Sequence, residues 1–542
     1  MRRLGPLLVA LAVAAVAAAG CARTAPEAVG PEAVGPEAVA APPNVVVVLA
    51  DDLGFSDLGL MGSGIATPVL DSLARTGLLF PQAYNGAKCS PSRAMLMTGR
   101  SAHAAGMGDA IAGLGRERPA GPYQGYLDPA VPTLAERLAE AGYRSYLSGK
   151  WHLGEERPRW PIERGFDRTF GLISGASSYY TLRTDQRRVR QMTLDGAPFA
   201  PPASGFYMTH AFADTAVAFL REHAAEHADR PFALYLAFTA PHWPLHAPEA
   251  TVQKYAGRYD DGWDAERARR TAALTEAGLV PEGAPLPGRP ASVPAWADRS
   301  DADRTDADWP RRMEVHAAMV DEMDAALGRV LAQVRAMGVA ENTLVLFTSD
   351  NGPSAEDVTE RGLDWPGTRI GEPGSYAAFR EPWAYAANAP LRRYKLELEE
   401  GGIRAPLVAH WPAGIARSGR VDATPVHLVD VLPTLLAASG LEGDLDGVSL
   451  LPAFRGDALP ARTLYWEYQN RAAVRDGDWK ALYDPEADAW ALYDLAADPF
   501  ETRDLATSEP ARLAGLTARW LAWADGQGVF DHPRRAVQRP GS

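Results

Sequence analysis

Cysteine is nearly absent from this sequence. Cys21 and Cys89 are the only thiols in 542 residues. Cys21 falls in a leader, so the mature fold is expected to carry no disulfide. Cys89 is then either a small buried hydrophobe or a residue kept for its chemistry. Positive charge is in deficit: 54 Lys and Arg against 68 Asp and Glu give a net −14, which argues against a general nucleic-acid binder. No apolar run beyond the N-terminal segment suits a membrane span, and repeats are confined to residues 26–39. What is left is 46% hydrophobic and 23% charged, ordinary for a globular chain and long enough for two or more domains around a large core.

Residues 1–21 read as a signal peptide: Arg2 and Arg3, an Ala/Leu/Val run of about fifteen residues, then small residues. The end, Ala18-Ala19-Gly20-Cys21, resembles a bacterial lipoprotein cleavage box in which Cys21 is lipidated, although Ala18 stands where Leu is usual. The alternative is cleavage after small residues beside an incidental cysteine. Residues 22–43 form a tether, with PEAVG at 26–30 and 31–35 and PEAV at 36–39. Its spaced prolines give a semi-extended chain reaching ~50 Å at about 3.1 Å per residue. Acyl chains on Cys21 would anchor it at about 0.8 kcal/mol per buried methylene. The expectation is an exported protein, periplasmic or at the cell surface, meeting the membrane only through that lipid.

The body opens with Asn44-VVVVLA, a short apolar run that reads as a strand buried on both faces. Similar runs follow at Phe232-ALYLAFT, Thr343-LVLFTS and Pro406-LVAHW, with helical patterns such as Val131-PTLAERLAEAG between them. This alternation argues for a large α/β domain over 44–460, a mostly parallel central sheet flanked by helices. The charged, proline-rich stretch 255–310 reads as a surface insertion. From 461 the texture changes to short aromatic strands (TLYWEYQ, RAAVRDGDWKALYD, AWALYDL), with a hairpin signal at Asp476-Gly477 and a final helix from Pro510. That is a smaller C-terminal α+β domain with a short antiparallel sheet, 461–535, followed by a tail, 536–542.

Sites in open α/β sheets lie beyond the carboxyl ends of the strands. Three of these strands end in polar clusters: Asp51-Asp52, Asp350-Asn351-Gly352 and Ala240-Pro241-His242-Trp243. One Asp doublet alone is more often a turn or a cap. Two oxygen-bearing doublets on separate strands are what a hard divalent cation needs, Ca²⁺ or Mg²⁺. Cys89-Ser90-Pro91-Ser92-Arg93 reads as a helix start, with Ser90 as cap, Pro91 in the first turn and Thr98-Gly99 as the stop. Cys89 would sit just ahead of the helix, where the backbone favours an anion and Arg93 can reach. A thiolate nucleophile would want a neighbouring His base rather than an oxygen-lined metal site.

Cys89-x-Pro91-x-Arg93 with Thr98-Gly99-Arg100 resembles the signature of the formylglycine-dependent sulfatases of the alkaline phosphatase superfamily, and bacterial arylsulfatases most of all. The resemblance runs from Asn44 to about Leu505. It includes Asp51-Asp52, the GKWHLG motif with Lys150 and His152, PHWP with His242, Asp350-Asn351-Gly352, and Lys395 ahead of Glu400-Gly401-Gly402-Ile403-Arg404. It implies an alkaline-phosphatase-like fold and a sulfuric ester hydrolase acting on small-molecule or carbohydrate sulfate esters. Cys89 would be oxidised to formylglycine by a formylglycine-generating enzyme or an anaerobic maturase. Its hydrate would supply one hydroxyl to attack sulfur and a second to expel sulfate, a turnover that serine could not complete.

The resemblance further implies a cation, Ca²⁺ before Mg²⁺, held by Asp51, Asp52, residue 89, Asp350 and Asn351. Arg93 would orient the diol, Lys150, His242 and Lys395 would bind substrate, His152 would be a base, and His242 or Lys395 would assist the leaving oxygen. His246, His316 and His427 read as structural, Arg404 as architectural, and Trp243 with the 365–394 segment as the entrance. Two rivals stay open: a phosphonate monoester or phosphodiester hydrolase of the same superfamily, which has Tyr and Thr in place of Lys150 and His152, and a non-catalytic lipoprotein that binds sulfated glycans.

Overall fold

The computed structural model describes residues 41–112, 118–182, 190–300 and 308–531. The leader with Cys21, most of the tether and the tail lie outside them. Eleven strands form one sheet among the described residues: β1 (Asn44–Asp51), β2 (Leu78–Tyr84), β3 (Arg144–Lys150), β4 (Arg168–Leu172), β5 (Met192–Leu194), β6 (Ala197–Pro198), β7 (Phe232–Pro241), β8 (Thr343–Ser349), β9 (Arg404–His410), β10 (Arg420–Val421) and β11 (Val426–His427). Their order is β10-β2-β9-β8-β1-β7-β3-β4-β5-β6, with β11 on β2.

The apolar run in β1 explains its central place. Val46 and Val48 point into the core on one face, and Val45, Val47 and Leu49 into the core on the other. A strand with no polar side can be satisfied only between two covered faces. Val47 lies opposite Tyr235 of β7 and Leu346 of β8, and both pairings are parallel. The pairs β3–β7 and β3–β4 are parallel as well, so β8, β1, β7, β3 and β4 release their carboxyl ends along one edge. The sheet departs from parallel at its flanks, where β9 runs antiparallel to both β8 and β2.

Much of the described part of the 255–310 stretch is exposed, as expected of a surface insertion, but one helix within it turns a charged face inward. That helix, Gly262–Glu276, buries Trp263, Glu266, Arg267 and Arg270. Arg270 donates to Asp57 Oδ1 at 2.7 Å, to Ser56 O at 3.0 Å and to Glu266 Oε1 at 2.7 Å. The Arg270 charge is matched inside the molecule, against the loop that follows β1, which composition alone does not reveal. Beyond 461, β12 (Thr463–Tyr468), β13 (Arg471–Asp476), β14 (Trp479–Asp484) and β15 (Ala489–Asp494) form an antiparallel sheet in sequence order. Asp476 pairs with Trp479 around a two-residue turn whose Gly477 has φ 60°, the positive φ such a turn requires. The closing helix, Pro510–Gly526, buries Trp520, which donates to Trp466 O at 2.9 Å. Among the described residues no helix is long and apolar enough to cross a membrane.

Candidate active site

The parallel strands deliver their last residues to one place. β1 ends at Asp51, β3 at Lys150, β7 just before His242 and β8 just before Asp350. Asp51 and Asp350 are fully buried, and so is Lys150, whose Nζ lies 2.6 Å from Asp51 Oδ2. Asp52 turns back with φ 67°, a conformation that costs a non-glycine residue about 1–3 kcal/mol and gathers at functional sites. Its amide donates to Asp350 Oδ1 at 3.3 Å, and Leu53 N to Ser349 Oγ at 3.1 Å, which ties the two doublets together. Gly352 is required by contact: a Cβ there would stand 1.9 Å from Gly401 O.

Cys89 begins the helix Cys89–Thr98, every residue of which is buried. Its Sγ is 3.9 Å from Asp52 Oδ1. The expected Ser90 cap is not made. Lys88 is the capping residue and offers no side-chain bond, while Ser90, already inside the first turn, cannot reach back to the free amides. Instead Ser92 Oγ accepts from Gly86 N at 2.8 Å. The stop is as expected, with Gly99 at φ 64° and its amide bonded to Met95 O. Arg93 donates to Asp350 Oδ2 from Nε at 3.0 Å and to Lys150 O from Nη1 at 3.0 Å. It is thereby locked against the wall behind Cys89.

Lys395 is buried. It lies in a loop whose neighbours Arg393 and Leu396 take φ 63° and 79°. Lys395 N bonds Pro353 O, and Leu396 N bonds Ala87 O at 2.8 Å. Those backbone bonds press Nζ to 2.7 Å from Asp52 Oδ1. His242 Nδ1 lies 2.6 Å from Trp243 O. A carbonyl can only accept, so the ring proton is on Nδ1, and Nε2 faces Asp52 Oδ2 at 3.5 Å.

Burial pushes His242 down to about 4, more than Asp52 draws it up. Burial, with Asp51 next, pushes Asp350 up to about 7, whereas Lys150, His242 and Arg93 hold Asp51 below the carboxylate range against its burial. The Cys89 thiol is pushed by burial up to about 12, so as a thiol it is neutral and a poor nucleophile.

Two hard oxygens in this cluster are orphaned. Asp51 Oδ1 and Asn351 Oδ1 are buried with no hydrogen-bond partner, an arrangement that costs free energy unless something fills it. Ligand atoms of Asp51, Asp52, Cys89 and His242 lie within 4.8 Å of one another. Orphan oxygens, crowded carboxylates and this spacing fit a hard divalent cation. The cluster includes His242, which the sequence reading placed on the leaving group, and Asp350 is occupied by Arg93.

A cavity of about 270 Å³ opens over Cys89, lined by Lys88, His152, His242, Trp243, Glu356 and Arg361 among others. His152 reaches it from a backbone with φ 60°, packed against Gly175. Trp243 lines the cavity as expected, but none of the 365–394 segment does. Tyr376 of that segment packs against Trp243, ring to ring at 6.1 Å, while Trp365 is exposed. The sequence reading passed over Lys88, Arg190, Glu356 and Arg361. Lys88 adjoins Cys89, and Glu356 follows Gly352 by four residues, so proximity to a motif was the available signal. His246 and His427 are buried away from the cavity. His316 Nε2 meets Asp57 Oδ2 at 2.8 Å, and that carboxylate also accepts from Gly54 N at 2.8 Å.

The family model described as Sulfatase matches residues 43–441, well over half of the chain. The chain belongs to the sulfatase family. A second model, N-sulphoglucosamine sulphohydrolase, C-terminal, matches residues 394–514. An uncharacterized sulfatase of Schizosaccharomyces pombe is 32% identical, over 91% of this sulfatase and 95% of the relative. An arylsulfatase of Klebsiella aerogenes is 33% identical, over 74% of this chain and 87% of its own. Among solved structures, Ps i-CgsB in complex with k-i-k-neocarrahexaose shares the fold at a TM-score of 0.67 and 24% identity, covering 92% of this chain and 94% of that one. Membership makes this protein a hydrolase of sulfate esters and implies a metal ion, for which the buried Asp51, Asp52, Cys89 and His242 group is suited.

Proposed function

We propose that this sulfatase acts as an arylsulfatase-like hydrolase of sulfate monoesters, with Cys89 converted to formylglycine and one divalent cation, Ca²⁺ first, held by Asp51, Asp52, Asp350, Asn351 and residue 89. The observation that carries this reading is the convergence on Cys89: a fully buried residue, too weakly acidic as a thiol, facing Asp52 beside two orphaned ligand oxygens. The Klebsiella aerogenes relative supports the aryl preference. When present, the cation supplies Lewis acidity and the hydrated aldehyde supplies hydroxyls.

The chain's own side chains do the rest. Lys150 and Lys395 hold sulfate oxygens as an electrostatic clamp. Arg93, fixed by Asp350 and Lys150 O, orients residue 89. The Nδ1 proton of His242 is committed to Trp243 O, which leaves Lys395 Nζ as the proton donor at the leaving oxygen. His152, on the cavity wall, takes the proton in the second half of turnover. We further infer export, with Cys21 lipidated and residues 22–43 holding the enzyme off a membrane.

The test uses full-length protein matured with a formylglycine-generating enzyme. Mass spectrometry should find the aldehyde at residue 89 and acyl chains at Cys21. The kcat/KM for 4-nitrophenyl sulfate should exceed that for the matching phenylphosphonate monoester, and a chelator should abolish activity that Ca²⁺ restores. A preference for the phosphonate would overturn the sulfate reading, and an unmodified Cys89 in active protein would overturn the aldehyde.

A further inference from the structure

Among the charged side chains that line the cavity without a task in the chemistry above are Glu356, beside Lys395, and Lys88, next to Cys89. Glu356 is tied down through one oxygen only. Its Oε2 accepts from Trp243 Nε1 at 2.9 Å and from Ser354 Oγ at 3.1 Å, and Lys395 Nζ lies 3.9 Å away. Among the described residues Oε1 accepts no hydrogen bond. Burial would raise this carboxyl, but Lys395 and Lys88 hold it well below the usual range, so it is ionised. Lys88, immediately before Cys89, lines the same cavity. Among the described residues its ammonium makes no hydrogen bond or ion pair. A cation and an anion that flank a cavity without closing on each other leave one acceptor and one set of donors aimed at a ligand.

Their position says which part of the ligand. Lys395 stands between Asp52, 2.7 Å away, and Glu356, 3.9 Å away. With the ester oxygen at Lys395, Glu356 meets the atoms next to the esterified carbon. A second sulfate or a carboxylate there would face the half-buried negative charge of Glu356. A hydroxyl can both accept from an ammonium and donate to a carboxylate. Ala110, Ile111 and Ala176 supply apolar wall, while Arg190 and Arg361 also line the cavity, Arg361 lying over the Trp243 ring at 4.3 Å. Of the charged groups in this lining, Glu356 is the one carboxylate.

We propose that Lys88 and Glu356 form a hydroxyl-reading pair, and that the leaving groups suited to this enzyme carry a hydroxyl on the carbon adjacent to the sulfate ester, which accepts from Lys88 Nζ and donates to Glu356 Oε1. The substrate class is the monosulfate of a vicinal diol, alicyclic or aromatic. This inference rests on the sulfate-ester reading and deepens it.

The experiment compares catechol monosulfate with phenyl sulfate, which differ by one ortho hydroxyl, on matured wild-type, Glu356→Ala and Lys88→Met enzymes. Intrinsic reactivity cancels when the kcat/KM ratio of the two substrates is compared between enzymes. The ratio should fall about tenfold or more in each variant, the loss expected when a hydroxyl forfeits a charged partner. Unchanged ratios, with phenyl sulfate still hydrolysed, would overturn the hydroxyl reading and leave the sulfatase reading standing. Calorimetry on the unconverted Cys89 protein gives a second readout that needs no turnover. Catechol monosulfate should bind more tightly than phenyl sulfate in wild type and equally in the variants. Equal binding in wild type overturns the inference even if the matured enzyme is inactive.

Discussion

At the scale of the residue, Lys395 shows how the site is held. Burial works against its charge, but Asp52, together with Glu356 and Asp51 among the other acidic neighbours, outweighs burial and keeps the ammonium protonated well above its ordinary range. Removing it should therefore affect chemistry more than binding. Lys395→Ala is expected to lower kcat/KM for an aryl sulfate by about 10²–10³, the loss typical of one donor to developing charge, with the thermal melt of the metal-loaded protein retained. A loss below about tenfold would take Lys395 out of the clamp and off the leaving oxygen. The motif around Cys89 identifies its neighbours from sequence, and Lys395 belongs to the same pattern. Its burial does not show in RRYKLELEE, because it depends on two positive-φ neighbours and on bonds to Pro353 and Ala87.

At the scale of the element, caps and buried polar groups make stability depend on pH. His427 opens a short 3-10 turn, Leu428–Asp430, and its Nδ1 accepts from Val429 N at 3.2 Å, so the ring must be neutral there. Burial, with Arg462 next, pushes His427 from 6.5 down to about 3. As the pH falls from 6.5 towards 3, the unfolded chain takes a proton that the folded chain refuses, and stability is lost across that window. His427→Asn keeps an acceptor but cannot titrate. The drop in Tm between pH 7 and pH 5 should be smaller for this variant than for wild type. Equal drops would remove His427 from the acid sensitivity. The sequence reading of His427 as structural is consistent with its burial, but its capping bond required the turn to be seen.

At the scale of the whole molecule, the large sheet and the small one are joined by buried charge. Lys480 of β14 has Nζ 2.9 Å from Glu400 Oε1 and 2.8 Å from Glu501 Oε1. Tyr84 of β2 donates to Glu400 Oε2 at 2.7 Å. Lys480→Ala would leave the buried Glu501 without its cation and Glu400 with Arg404, at 3.5 Å, as its ion-pair partner, and a loss of about 3–5 kcal/mol is expected, read from urea unfolding. The transition should remain single by fluorescence and circular dichroism. Two transitions, with the first alone shifted, would show that the sheets fold independently. What the sequence determined by itself is whatever depends on neighbours along the chain. The apolar runs made β1, β7 and β8 central, Gly99 ended the Cys89 helix, the Gly477 turn paired β13 with β14, and the family motifs marked Cys89 and the acidic doublets. What only the tertiary structure decided depends on distant segments meeting. One face of the helix Gly262–Glu276 became interior because Asp57 receives Arg270, Tyr376 and Ala378 came to pack against Trp243, and Glu356 with Lys88 came to flank the opening. Periodicity and local propensity carry no information about which charge a distant loop will face, so those pairings appear only once the chain is packed.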